Sequence, residues 1–400
     1  MTTQQIQAEG GLQQHRTEFL REETYAVPNT DPSFNRFSDI IQSIEWTPTP
    51  NVEGHRGIGD ADPQRMTKGP EEHELSITYA LQQFPVDPDG DPLDASGDGL
   101  KRDADNTLPN THTIVDREEK EGTRIYLVAL GGLIDEVTLS GDTESNEPIT
   151  AEVTYQCQKI RSYQVDQPDS STTLDIVSTD DNDTMDITIE NDDASTSETL
   201  SLTGTTTVTT TESFGEIDAV WLASEPAGDI TISDGSGTDF MTIYGSNSYD
   251  NVEGDRGIPP LGSGSHASAL DTAYEYFLDD TIEWPQGEDL AAALNSLELS
   301  VSNNVDSTSR VGQLGPVLSV GNRETQVTAT LFSPTASHDA IMQALRKAQN
   351  NLIWTLSDGE LQVNNAAITD PGARSIERGQ AIMTLDNTFT GEGLTLNNTS

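Results

Sequence analysis

Apolar residues in this chain recur at every second position, in short runs closed by Gly, Asp and Pro, and that period restricts the fold more than any other feature. Residues 74–81 put Leu75, Ile77, Tyr79 and Leu81 on one face. Leu297, Leu299 and Val301 alternate in the same way, as do Val327, Ala329 and Leu331. Successive side chains of a strand point to opposite faces, so these runs are strands with one buried face, and a mainly β protein is expected. One segment departs from the period. Ile341, Met342, Leu345 and Ala348 recur at helical spacing, with Ser337 as the cap, Asp339 in the first turn, Arg346 and Lys347 in the last, and Asn350-Asn351 at the end. A shorter helix is expected over 288–294.

Charge decides what such strands must tolerate. Asp and Glu number 68 against 20 Lys and Arg, a net charge of -48, and only five of the basic residues are lysines. The carboxylates are spread along the whole chain. Self-repulsion of this kind destabilises a compact state in dilute buffer and is screened by salt, which points to a halophile. Disorder, the other reading of high acidity, conflicts with the ordered apolar alternation. The charge also argues against specific binding to a DNA backbone, though not against DNA passing by. Cys157 is the one cysteine, so no intrachain disulfide forms, and it shares a strand face with Val153 and Tyr155. No apolar run nears the roughly 20 residues of a membrane span. The N-terminus has no signal-like basic region or apolar core, so synthesis in a cytoplasm is expected.

The chain also repeats itself. Ser43, Ile44 and Glu45 match Ser296, Leu297 and Glu298, and Asn51-Val52 matches Asn304-Val305 at the same spacing. Later strands follow in the same order: Leu75, Ile77, Tyr79 and Leu81 are set against Thr325, Val327, Ala329 and Leu331. Tyr126-Leu127-Val128 is set against Ile353-Trp354-Thr355, and Ala151, Val153 and Tyr155 against Ala381, Met383 and Leu385. This gives a first outer region at 1–168, with a long acidic loop at 85–124, and a second at 245–400 that opens with a linker around 262–265. Between them, 169–244 is rich in Thr, Ser and Asp. Its candidate strands at 173–177, 185–189, 199–202, 205–211, 217–222, 229–232 and 240–244 suggest an inserted immunoglobulin-like β-sandwich. Asn51-Val52-Glu53-Gly54-His55-Arg56-Gly57-Ile58 nearly recurs as Asn251-Val252-Glu253-Gly254-Asp255-Arg256-Gly257-Ile258, outside the alignment of the strands.

The search for chemistry finds no catalytic constellation. The histidines are scattered without metal-ligand spacing, and Gly262-Ser263-Gly264-Ser265-His266 follows a proline-rich break instead of a strand. Aromatic residues that could line a sugar cleft are only 6% of the chain. Asp87, Asp89, Asp91, Asp94 and Asp98 form a candidate cation loop. It departs from the EF-hand pattern, because Pro92 replaces the turn glycine and no Glu closes the loop. A solvated acidic loop is the simpler reading, and Asp180-Asp181-Asn182-Asp183 is treated alike. No cofactor is expected beyond salt cations.

The order of motifs in 294–390 resembles the tail tube proteins (major tail proteins) of long, flexible-tailed phages and their archaeal relatives. A strand leads to Asn303-Asn304-Val305, then Gly321-Asn322-Arg323-Glu324-Thr325 opens the next strand, a helix follows at Asp339, and Asp358-Gly359 makes a turn. The stretch from Phe19 to Pro28 is similar to the family's start, and Gly132 to Leu139 fits as well. The resemblance implies a tail-tube β-sandwich or barrel in each outer region, with a flanking helix at least in the second. It implies a non-enzymatic virion protein whose rings stack into a tail tube for genome ejection. With the acidic composition, it implies the tail of a haloarchaeal virus. Partners implied are other copies of the chain, tape measure and tube terminator proteins, and DNA that slides through the lumen without specific binding. Most family members carry one such unit and form rings of six. Two units per chain imply a homotrimeric ring with pseudo-sixfold shape, the insert decorating the outside. The competing reading is a tail fibre or surface adhesin that binds cell-surface glycans.

The acidic composition makes the first prediction: the midpoint of unfolding rises steeply as KCl is raised from millimolar to molar. Full stability in salt-free buffer would contradict the halophile expectation.

Overall fold

The computed structural model describes residues 16–22, 35–55, 65–82, 111–120, 122–143, 147–191, 195–247, 255–260, 273–277, 280–284, 294–308, 316–332, 350–356, 359–370 and 384–398. Strand is their main regular structure, with no α-helix among them. The helix read over 337–349 lies outside the described residues, as does the segment 288–293. Leu294 itself opens a strand, because it pairs with Leu331.

The first stretch forms β1 (Arg16–Arg21), β2 (Asn35–Arg36), β3 (Ile41–His55), β4 (Arg65–Ala80), β5 (His112–Lys120), β6 (Thr123–Asp142), β7 (Thr150–Cys157) and β8 (Lys159–Asp166). Shorter strands follow: β9 (Leu174–Ser178), β10 (Asp186–Glu190), β11 (Ser197–Ser201), β12 (Val208–Thr209), β13 (Ala219–Leu222), β14 (Ile230–Asp234), β15 (Asp239–Ile243) and β16 (Gly257–Ile258). The rest forms β17 (Thr281–Glu283), β18 (Leu294–Ser302), β19 (Val305–Thr308), β20 (Val317–Val320), β21 (Glu324–Phe332), β22 (Asn350–Thr355), β23 (Gly359–Asp370), β24 (Thr384–Gly391) and β25 (Gly393–Asn398).

A 15-stranded antiparallel system contains the continuous run β3-β4-β7-β6-β18-β21-β24-β23. The long strands β6 and β23 each serve two layers. The N-terminal part of β6 pairs with β5 and β8, and that of β23 with β22 and β25, forming second layers behind the run.

The pairing repeats in detail. Ile44 lies opposite Ile77 and Leu297 opposite Ala329, and both hairpins carry a bulge one step further back, at Ile41/Ser43 and Leu294/Ser296. The β6–β7 ladder shifts register between Ile134 and Glu136, and the β23–β24 ladder between Ile368 and Asp370. The β5–β6 and β22–β23 ladders shift at His112/Ile114 and Asn350/Leu352. Beside these shifts stand Gly131 (φ 63°) and Asn365 (φ 52°), the residue types that best tolerate the left-handed region. With register as the guide, β6, β7 and β8 map on β23, β24 and β25 without insertion, β5 maps on β22, and β1 on β17.

Three sequence matches are thereby corrected. Ile77 corresponds to Ala329, not Val327. Val153 and Tyr155 correspond to Asn387 and Phe389, not Met383 and Leu385. Ile353-Trp354-Thr355 belongs to the counterpart of β5, whereas Tyr126-Leu127-Val128 lies in β6. The cause is physical: a slip of an even number of residues leaves alternation unchanged, so only hydrogen-bond register resolves it.

One core runs through both repeats, from Leu75, Ile77, Val137 and Val153 to Leu299, Val327, Trp354 and Phe389. Each such side chain contributes about 1.5–3 kcal/mol relative to exposure. Gly141 allows the Phe277 ring to lie against the sheet, where a Cβ would meet it at 2.7 Å.

The inserted strands form two four-stranded sheets, β11-β10-β13-β16 and β12-β9-β14-β15. Every strand read in the insert is present, and the first sheet continues to Ile258, beyond the expected boundary at 244. The two near-identical octapeptides have different surroundings. Asn51–His55 extends β3, whereas Asp255 to Ile258 joins the insert.

A second core joins Leu174, Ile187, Val220 and Ile232 of the insert to Val115, Tyr126, Val128 and Tyr163 on the back of β5, β6 and β8. Buried charge reinforces this junction. Asp218 accepts from Arg117 Nη1 at 2.8 Å, from Tyr126 Oη at 2.5 Å and from Arg124 Nη1 at 3.3 Å. Burial and the Asp218 carboxylate push the Tyr126 hydroxyl pKa far up, so it stays a donor. Asp255 accepts from Arg161 at 2.8 Å and lies 3.4 Å from Lys159. Arg256 stacks 4.4 Å over the Trp221 ring.

The junction predicts that Asp218→Ala lowers unfolding stability by about 3–5 kcal/mol, because it removes the buried carboxylate shared by Arg117 and Arg124. Glu216→Ala, at the exposed end of the same cluster, should cost under about 1 kcal/mol. Denaturant titration of both variants checks this, and equal small effects would contradict it.

Candidate functional site

The continuous run has one buried face and one open face, and the open face is chemically uniform. From β3 it presents Ser43, Glu45, Thr47 and Thr49; from β4, Glu74, Ser76 and Thr78; from β7, Glu152, Thr154 and Gln156. From β6 come Glu136, Thr138 and Ser140; from β18, Ser296, Glu298, Ser300 and Ser302; from β21, Glu324, Gln326, Thr328 and Thr330; from β24, Thr388 and Thr390. Among the described side chains of this face there is no Lys, Arg, aromatic or large aliphatic residue.

The carboxylates are interleaved with neutral groups. Glu152 stands between Thr78 and Thr138, Glu136 between Thr154 and Ser302, Glu298 between Ser140 and Thr328, and Glu74 between Thr47 and Gln156. Like charges directly opposite one another would destabilise the pairing, and this spacing avoids them. Hydroxyl and amide donors then reach the carboxylates. Ser76 Oγ donates to Glu152 at 2.8 Å, Gln156 Nε2 donates to Glu74 at 3.0 Å, and Ser300 Oγ donates to Glu136. Among the described side chains the product is an anionic surface whose hydrogen-bond donors are uncharged, so they give a polyanion no ion pair.

A second feature lies at one end of the run. Strand β3 pairs with β4 alone among the described residues, so one of its edges is unpaired. Behind that edge, Ile41, Ile44 and Trp46 face Ile125 and Leu127 across an open groove rimmed by Glu118. Ile125 is 39% exposed. The Trp46 indole N–H is shielded from solvent and has no acceptor among the described residues. His73 lies beside Trp46, ring centres 6.4 Å apart, and burial together with the nearby Arg161 charge lowers its pKa to about 4.

The sequence-derived cation loop, Asp87, Asp89, Asp91, Asp94 and Asp98, lies outside the described residues. In the second acidic motif, Asp183 is buried and accepts from Ser178 Oγ at 2.5 Å, Ala227 N at 2.8 Å and Gly228 N at 2.9 Å, a loop-tying role. Among the described residues no three His, Cys, Asp or Glu side chains gather as a metal-holding group. Cys157 is buried in β7, and burial pushes its thiol pKa far up, which leaves it unreactive. The sequence reading missed the open face, although a signal existed: the positions between the apolar ones in these strands are Glu, Ser, Thr and Gln throughout. No helix among the described residues is long and apolar enough to cross a membrane. No family model matches this chain, and no curated protein matches it.

The buried histidine gives a pH prediction. In the unfolded chain His73 takes up a proton near its ordinary value of 6.5, in the folded chain only near 4. Between those values the unfolded state binds more protons, so the stability tied to His73 is complete above pH 6.5 and falls as the pH drops towards 4. The loss is on the order of 3 kcal/mol. His73→Gln should flatten the stability-versus-pH curve in that window, and an unchanged difference between wild type and variant would contradict the assignment.

Proposed function

We propose that the chain is a structural, non-enzymatic virion protein that polymerises as stacked rings into the tube of a viral tail, with the open face of the continuous sheet lining the channel. The observation that carries this reading is that face. It is wide, acidic and free of Lys and Arg among its described side chains, which suits a wall past which a polyanion must slide. In molar salt the Debye length shrinks to about 3 Å, so long-range repulsion is muted. What matters then is that the described side chains of the wall include no cation for a phosphate to pair with.

Two repeats in one sheet support three chains per ring, a homotrimer of pseudo-sixfold shape. The insert is packed behind β5, β6 and β8, on the layer remote from the open face, so it sits outside such a tube. Tape measure and terminator proteins, the haloarchaeal host and the passage of DNA belong to the same proposal and rest on the resemblance of the sequence.

Negative-stain imaging of the purified chain in molar KCl tests it. Rings or tubes with three chains per ring are expected. Six chains per ring would overturn the stoichiometry, and dispersed monomers that bind glycans would overturn the tube in favour of an adhesin.

A further inference from the structure

Lys and Arg number only 20 in this chain, yet three of them meet at one cavity, which the tube reading leaves unused. The cavity measures about 40 Å³ and lies where the insert meets the first repeat. Leu130, Lys159, Arg161 and Tyr163 line it from β6 and β8, and Glu225 and Arg256 line it from the insert. Its size sets the class of guest. One water needs roughly 10–15 Å³, so there is room for about three water-sized particles. That suits a small inorganic anion and excludes a sugar, a nucleotide or a peptide. The charges around it do not balance. Lys159 Nζ lies 3.4 Å from Asp255 and 3.9 Å from Glu225, and Arg161 Nε donates to Asp255 at 2.8 Å. Two carboxylates thus answer two cations. Arg256 is the third cation, and it is half-buried. Its Nε donates to the carbonyl of Leu222 at 2.9 Å and its Nη2 to that of Ala223 at 2.8 Å, with the guanidinium carbon 4.4 Å over the Trp221 ring. Carbonyls and a ring fix this group without neutralising it. Among the described residues no carboxylate lies within ion-pair distance of Arg256, and its Nη1 has no acceptor. Burial lowers its pKa and the more distant Glu225 charge acts in the opposite sense, so its desolvation is not fully offset.

We infer that this cavity binds a single small inorganic anion such as chloride, held by Arg256 together with Lys159 and Arg161. The anion supplies the missing unit of negative charge and an acceptor for guanidinium and ammonium N–H groups. The net charge of -48 repels anions at long range, but in molar salt that field is screened within about 3 Å and the three nearby cations decide. Residues of both the first repeat and the insert line the cavity, so an anion bound there bridges the two. Binding then favours the docked insert and stabilises the folded chain by mass action, over and above screening. The site does not depend on the tube reading, because every group in it belongs to one chain.

Unfolding of the full chain at fixed potassium concentration, with chloride exchanged for gluconate, separates occupancy from screening, since gluconate is too large for the cavity. Once chloride saturates the site, each tenfold rise in chloride should raise the folded-to-unfolded ratio by about tenfold. Arg256→Gln should flatten that dependence. Glu225→Gln, at an exposed position, removes a competing carboxylate and should shift its onset to lower chloride. In wild-type crystals, bromide in place of chloride should give an anomalous-scattering peak in the cavity, which decides occupancy even where Arg256→Gln does not fold. A chloride dependence unchanged in both variants, or a cavity without bromide, would overturn the site. A bromide peak without the chloride dependence would mark an adventitious ion only and overturn it as well.

Discussion

An antiparallel ladder between β6 and β18 fuses what would otherwise be two separate sheets, and most of the architecture depends on it. Sheet edges present unpaired N–H and C=O groups that must be paired, covered or blunted. The chain pairs its two inner edges with each other, and by doing so joins the apolar layers of both repeats in one core containing Val137, Leu299 and Val327. The outer edge at β3 is handled differently, with prolines at 48 and 50 and an open groove behind it.

That geometry gives meaning to the open face. A sheet extended across repeats carries its unburied face continuously past the seam, and here that face keeps one chemistry on both sides of it: Glu136, Thr138 and Ser140 on β6 against Ser302, Ser300 and Glu298 on β18. Separation of each carboxylate by hydroxyl or amide neighbours lets the strands pair despite a net charge of -48. The same arrangement leaves a surface on which neutral hydroxyls and amides, not cations, are the described protein partners of Glu152, Glu74 and Glu136.

Cations are scarce in this chain, and their placement is informative. Arg117, Arg124, Lys159 and Arg161 converge on the junction with the insert, where Asp218 and Asp255 are buried. Buried pairs are screened by salt far less than exposed ones, so a junction of this kind survives in conditions that dissolve surface ion pairs. The shared core around Tyr126, Val128 and Val220 makes the insert a fixed part of the first repeat's outer layer, not a module on a tether.

Alternation of apolar and polar residues was enough to read the fold class, the insert's strands and the start of the repeat at Ile44 and Leu297, because a period of two is a local property of the chain. Even the composition of the open face was present at the alternate positions, although nothing local says that those positions converge on one surface. Register was not legible: Val153 matches Met383 as well as Asn387 by pattern, since a slip of an even number of residues preserves alternation. The seam between Leu139 and Leu299, the groove at Trp46 and the clamp of Asp218 on Arg117 and Arg124 join residues distant in sequence. Only the tertiary structure decided these, because hydrogen-bond registry and desolvated charge are properties of elements brought together, which no local period encodes.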